Sequence, residues 1–192
     1  MLSSVRTRRL ALGGAIGPSI FVAAWVGGAA IAGSGYSSIE DPISRLAAVD
    51  ASTRPLMTIG FVGFGLGVGA FALALRRDVG GPAAMAAAVA AGATVLVACA
   101  PLDRSSTVDR LHGLFAGIGY LAVSATPLLA APRLFERGAQ RLAAAGVAAG
   151  AVSTVALAAS LLGAPTGLFQ RIGLTTADAW IVACAVAIAI RE

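Results

Sequence analysis

Long apolar stretches recur along the chain, broken by short clusters of Arg, Asp, Gly and Pro. Six of them, Leu10 to Gly33, Pro55 to Leu75, Val79 to Leu102, Gly113 to Pro132, Leu142 to Gly163 and Ile172 to Ile190, come close to or exceed the roughly 20 residues that carry a helix across a bilayer. They are rich in Ala, Leu and Gly and lack strict alternation of apolar and polar positions, which excludes a membrane β-barrel. The pattern predicts an all-α polytopic membrane protein: one transmembrane domain over residues 1–192, a bundle of six helices with both termini on the same side.

Composition rules out a water-soluble domain. Hydrophobic residues make up 58% of the 192 and charged residues 12%, and the mean hydropathy is +0.87. That is more apolar surface than one soluble domain can bury, so the first partner is the lipid bilayer itself. All 14 basic residues are Arg, placed in twos and threes at the ends of the apolar runs. A nucleic-acid surface needs basic residues interleaved with aromatic platforms on one element, so no nucleic-acid partner is expected.

The arginines instead carry an orientation signal. Nine of them (Arg6, Arg8, Arg9, Arg76, Arg77, Arg133, Arg137, Arg141 and Arg191) flank one side of the spans, and five (Arg45, Arg54, Arg104, Arg110 and Arg171) flank the other. Acidic residues run the opposite way, with Asp78, Glu136 and Glu192 against Glu40, Asp41, Asp50, Asp103 and Asp109. Arg-rich short loops stay in the cytoplasm, so both termini are expected to be cytoplasmic in a bacterial inner membrane. The first span is read as a retained helix. Ala30, Ile31 and Ala32 resemble a signal cleavage site, but the preceding run exceeds the roughly 7 to 15 residues of a signal core.

Glycines recur at i, i+4 in Gly13/Gly17, Gly63/Gly67, Gly65/Gly69, Gly113/Gly117, Gly146/Gly150 and Gly163/Gly167, a spacing that lets helix backbones approach closely. The second span carries the densest set and is expected at the centre of the bundle. Internal packing is the plainer use of these faces, and a homo-oligomer the sharper one. Cys99 and Cys184 lie in apolar runs without CxxC spacing and read as small core residues. The single histidine, His112, excludes a bis-imidazole haem and a three-histidine zinc site, leaving only a mixed site with carboxylates open. No cofactor or metal is expected.

Three places can carry chemistry. In the loop from Ser34 to Arg54, Asp41 and Pro42 read as N-cap and first helical position, with Ile43, Leu46 and Ala47 on one apolar face. A short interfacial helix is expected there, with Glu40, Asp41, Ser44 and Arg45 toward water. In the loop from Asp103 to His112, Thr107 is placed to cap the fourth span. Asp109 and His112, three residues apart, share a face and would pair, orienting the imidazole as a base or ligand. In the sixth span, Asp178 is the one ionisable residue well inside a run, and Arg171, Thr175 and Asp178 fall at i, i+4 and i+7 as a polar stripe about 10 Å deep. A charge at that depth is expensive, so Asp178 is expected to face the interior or water, with Ser153, Thr154 and Ser160 supplying hydrogen bonds. The plain alternatives are a packed lid, an interfacial histidine and an aspartate satisfied by hydroxyls.

Three stretches carry a resemblance: GYSSIEDPISRLAA with the following RPLMTIGFVG, APLDRSSTVDRLHG continuing to ATPLLA, and GLFQRIGL before a Trp-containing last helix. Together they resemble the six-helix prokaryotic membrane family catalogued as domain of unknown function nine-nine-eight, over nearly the whole chain. The resemblance implies fold and location but no established activity, and it marks Tyr36, Pro42, Ile43, Ser44, Leu46, His112 and Arg171 as motif positions. No Walker loop, nucleophile elbow, HExxH or dinucleotide fingerprint occurs, which takes most weight from an enzymatic reading. The leading expectation is an outward-facing polar vestibule formed by Tyr36, Asp41, Ser44, Arg45, Asp103, Asp109, His112, Arg171 and Asp178, binding or transporting a small or lipid-like molecule. The rivals are a membrane-embedded hydrolase using His112 and carboxylates, and a non-catalytic accessory subunit.

Overall fold

The computed structural model of the chain describes residues 2–190; Arg191 and Glu192, counted above among the flanking charges, lie outside them. Among the described residues there are six α-helices and no strand: α1 Leu2–Ile31, α2 Arg54–Asp78, α3 Gly81–Cys99, α4 Ser106–Glu136, α5 Gln140–Leu161 and α6 Thr166–Ile190. Each is long and apolar enough to cross a membrane. Large apolar side chains stand exposed in mid-helix, among them Leu66 at 71%, Met85 at 67%, Leu121 at 75% and Val155 at 69%. Water would not tolerate so many, whereas hydrocarbon is the solvent they match.

The helices follow one another around a closed ring, α1 to α6, with α6 returning against α1. Helix α2, expected at the centre, packs along both α1 and α3. Helix α6 packs on α5 and α1 and also reaches across the ring to α4 and α2. Its core residues are correspondingly mixed: Ala177, Ile181, Cys184 and Ala185 are fully enclosed, and Trp180 donates from Nε1 to the Leu142 carbonyl at 3.0 Å. Cys99 departs from its expected core position, because it ends α3 on an exposed face.

Glycine decides the α1–α2 contact. A Cβ placed on Gly67 would lie 2.6 Å from both the Gly13 oxygen and the Gly17 Cα, so the two backbones touch without intervening side chains. Gly60 and Gly63 continue the seam, admitting Ala24 and Ile20. By contrast, nothing approaches within 4 Å of Gly113 or Gly117 on α4.

Helices α4 and α6 begin earlier than their apolar runs. Ser105 caps α4, its hydroxyl accepting from the Val108 N–H at 3.3 Å, in place of the expected Thr107. Asp109 follows in the first turn, where the helix dipole favours an anion. The extra turns include His112 and Arg171, in keeping with the helical spacing read for both. The two ends of the bundle differ. The connections α1–α2, α3–α4 and α5–α6 lie at one end, here the lid end, while α2–α3 and α4–α5 turn at the other within two or three residues. Gly80 and Gly138 supply the positive φ angles of those tight turns, +132° and +76°, and Arg137 bridges them to Asp78 at 3.3 Å.

Gly67→Ala forces a methyl into the α1–α2 seam and is expected to cost about 1–3 kcal/mol. Gly92→Ala, with nothing within 4 Å of its Cβ position, should be neutral or slightly stabilising. Denaturant unfolding of the two variants in detergent micelles checks the contrast.

Candidate functional site

At the lid end the long α1–α2 connection docks on the first turn of α6. Leu168 N–H donates to the Ile39 carbonyl at 2.8 Å and Gly167 N–H to the Glu40 carbonyl at 3.3 Å. Loop carbonyls thus satisfy helix N-terminal donors that no side chain caps. Close packing is obligatory here: a Cβ on Gly167 would stand 2.4 Å from the Asp41 carbonyl oxygen.

Arg171 locks this arrangement. Its Nη1 donates to the carbonyls of Ser38 at 2.8 Å, Asp41 at 3.2 Å and Gly167 at 2.9 Å, and Nη2 donates to the Tyr36 hydroxyl. The guanidinium also lies 5.2 Å from the Trp25 ring centroid and 5.7 Å from that of Tyr36. The side chain is 9% exposed, and its charge is met by carbonyl dipoles and ring faces rather than by a carboxylate. Asp41 spends its carboxylate on the Ser37 N–H at 2.7 Å. Tyr36, half-buried beside them, holds its phenol above the ordinary value of 10.0, chiefly through burial and with a small push from Asp41, against the lowering charge and hydrogen bond of Arg171.

The expected interfacial helix is corrected to a five-residue 3₁₀ turn, Ile43–Ala47, of which Ile43, Ser44, Leu46 and Ala47 are buried. Pro42 precedes it in extended backbone at φ −63° and ψ 152°, so it does not open an α-helix. The turn is drawn inward because the Ile43 N–H donates to Gln170 Oε1 at 2.6 Å. Ser44 therefore faces the interior rather than water, and Arg45 alone of the turn stays exposed, paired with Asp103 at 2.6 Å. Both partners are about half exposed, a setting in which such pairs contribute at most about 1 kcal/mol. Asp103 sits at φ +66°, and Asp109 Oδ1 accepts its N–H at 3.0 Å, supporting the unusual backbone.

The Asp109–His112 pairing is likewise corrected. His112 Nδ1 lies 2.7 Å from the Ala100 carbonyl, and because a carbonyl only accepts, Nδ1 carries hydrogen. In the neutral ring Nε2 is then an acceptor. His112 lines a cavity of about 60 Å³ beneath the 3₁₀ turn, together with Ile43, Ser44, Gln170 and the rings of Phe21, Phe61, Phe64, Phe115 and Tyr120. Gln170 spans its wall, accepting from Ile43 and donating to the Tyr120 hydroxyl. A separate groove outside the turn contains Tyr36, Arg45, Leu46 and Asp103, so the turn divides an exposed polar groove from an aromatic interior.

The nine sequence candidates therefore fall into separate places. Tyr36, Asp41 and Arg171 form one node; Arg45, Asp103 and Asp109 form another at the rim; Ser44 and His112 line the cavity; Asp178 lies apart, deeper in α6. The polar stripe on α6 does not form, because Thr175 is exposed while Arg171 and Asp178 are buried. The hydroxyls assigned to Asp178 are used elsewhere: Ser153 bonds Ser124 at 2.9 Å, Thr154 donates to the Gly150 carbonyl at 2.7 Å and Ser160 to the Leu157 carbonyl at 2.7 Å. Gln170 and Tyr120 were missed as site residues. Their signal was a glutamine beside Arg171 and a lone tyrosine inside the fourth span.

The model of the family described as protein of unknown function DUF998 matches residues 15–187. No curated protein and no solved structure matches the chain.

Replacing Arg171 by Gln strands two loop carbonyls and one of α6 and is expected to cost about 3 kcal/mol, with Lys failing to restore the loss. Hydrogen exchange and proteolysis within residues 34–53 read the loosening. The Tyr36 contribution to lid stability is fully present below pH 10.0 and is lost as pH rises through its higher folded value. Tyrosinate absorbance should show the delayed ionisation, and Tyr36→Phe should remove that step from the alkaline loosening of the lid.

Proposed function

Since the chain belongs to the DUF998 family, whose description assigns no activity, we propose a function from geometry: the protein binds an uncharged amphipathic, lipid-like molecule in its aromatic cavity and moves it past the 3₁₀ turn. The observation that carries this reading is the division of charge. Arg171, Arg45, Asp41, Asp103 and Asp109 are all engaged in the lid and rim, while the cavity wall offers rings and neutral polar atoms. His112 Nε2 and the Ser44 hydroxyl supply hydrogen-bonding capacity at the end nearest the lid. A hydroxyl-sized head there and an apolar body among the phenylalanines match that lining, the usual arrangement of a small-molecule site.

The Arg distribution supports a prokaryotic cytoplasmic membrane with the lid end outside and both termini in the cytoplasm. The hydrolytic alternative draws on Ser44 and His112 lining the same cavity, but no carboxylate lines it with them. For an oligomer, the uncovered Gly113/Gly117 face of α4 is the available surface, since the α1–α2 glycines are used internally.

Photolabelling of the full chain in nanodiscs with a diazirine-bearing long-chain alcohol tests the reading. Labels are expected in the segment from Phe115 to Val123, competed by plain dodecanol and reduced at least several-fold by Ala116→Phe, which fills the cavity. Labelling spread evenly over lipid-facing residues, unchanged by that substitution, would remove the proposal. Reaction of Ser44 with a fluorophosphonate would shift it to the hydrolase.

A further inference from the structure

One ionisable group inside the bundle is used by neither lid nor cavity. Asp178 is 3% exposed, and neither carboxyl oxygen has a hydrogen-bond partner among the described residues. Its level follows from the antiparallel register of α1 and α6. A Cβ on Gly14 would lie 2.9 Å from the Ala185 Cβ, and Trp25 stacks with Arg171. Asp178 falls midway between Ala185 and Arg171, hence level with Pro18 to Phe21. Phe21 lines the cavity, as does Leu174 one turn before Asp178 on α6. Asp178 therefore stands at the depth of the cavity floor.

The surrounding elements offer it no counter-ion. Helix α1 has no titratable side chain after Arg9, α5 has only Arg141, and α2 has charge only at its ends, in Arg54 and in Arg76, Arg77 and Asp78. Helix α4 presents His112 and Tyr120 to the cavity and keeps Asp109, Arg110, Arg133 and Glu136 toward its ends, while the 3₁₀ turn contributes Arg45, paired with Asp103. On α6 itself stand Cys184 and, two turns away, Arg171. A carboxylate without donor or cation in such surroundings is costly, whereas the neutral acid is tolerated.

We infer that Asp178 is a proton-binding site reached through the cavity. The carboxylic acid gives up H⁺ to water in the cavity, leaving a carboxylate whose nearest cation along the helix is Arg171, about 10 Å away. At about 60 Å³ the cavity has room for water molecules, each needing roughly 10–15 Å³ by the same measure. The route rests on the cavity of the proposed function but not on its occupant.

Infrared difference spectroscopy of the full chain in nanodiscs, wild type against Asp178→Asn, is the test. A carboxylic-acid carbonyl band is expected in the wild type at neutral pH, absent from Asp178→Asn and lost at alkaline pH. Its shift on transfer to D₂O should be slowed several-fold by Ala116→Phe. Should Asp178→Asn not fold, Asp178→Glu is expected to move the band rather than abolish it. Carboxylate bands alone at neutral pH, an acid band indifferent to alkali, or exchange equally fast in Ala116→Phe would overturn the inference. Because no alcohol is present, failure of photolabelling and failure of this site are separately visible.

Discussion

A cation buried where water is scarce has to find its solvation in the protein, and the lid end is organised around that requirement for Arg171. Its guanidinium draws three backbone carbonyls and a phenol onto one point and is flanked by two aromatic rings. The carbonyls belong to the α1–α2 connection and to α6 itself, so solvating the charge also folds the loop down over the helix start. The same loop then caps the first N–H groups of α6 through Ile39 and Glu40. Charge solvation and helix capping are satisfied by one segment of chain, which explains why Gly167 lies where any side chain would collide with it.

Beneath that loop the chemistry changes character. The buried face of the 3₁₀ turn carries Ile43 and Ser44, and its exposed face carries Arg45. Gln170 ties the turn to α6 and reaches on to Tyr120 of α4, linking lid and wall through a neutral amide. An amide suits this position because it both accepts and donates without bringing a charge into an apolar space. The imidazole of His112, when neutral, is held in one tautomer by the Ala100 carbonyl, which leaves Nε2 an acceptor.

How much of this was legible depended on whether the deciding contact was local. Six helices could be read from run length, because hydrocarbon sets the length that an uninterrupted apolar segment must have. That some backbones approach closely was visible in Gly13, Gly17, Gly63 and Gly67, but not that α1 and α2 are the partners. Helix starts were partly so: the cap of α4 was read two residues late, at Thr107 instead of Ser105, and α6 begins six residues before its apolar run. Local spacing misled where a distant partner competed better. Asp109 is three residues from His112, yet the imidazole takes the Ala100 carbonyl and the carboxylate takes the Asp103 N–H. Asp41 before Pro42 resembles a cap, but the pull of Gln170 on Ile43, across 127 positions of sequence, turns the segment inward. Gln170 and Tyr120 have meaning only as a pair, and no local pattern joins them.

The two- and three-residue turns at the end opposite the lid, bridged by Arg137 and Asp78, have a mechanical corollary. Helix pairs joined so tightly have little freedom to splay there, whereas the long connection at the other end owes its position to Arg171 and the first turn of α6. The bundle is thus closed by short covalent links at one end and by a folded segment held through hydrogen bonds at the other.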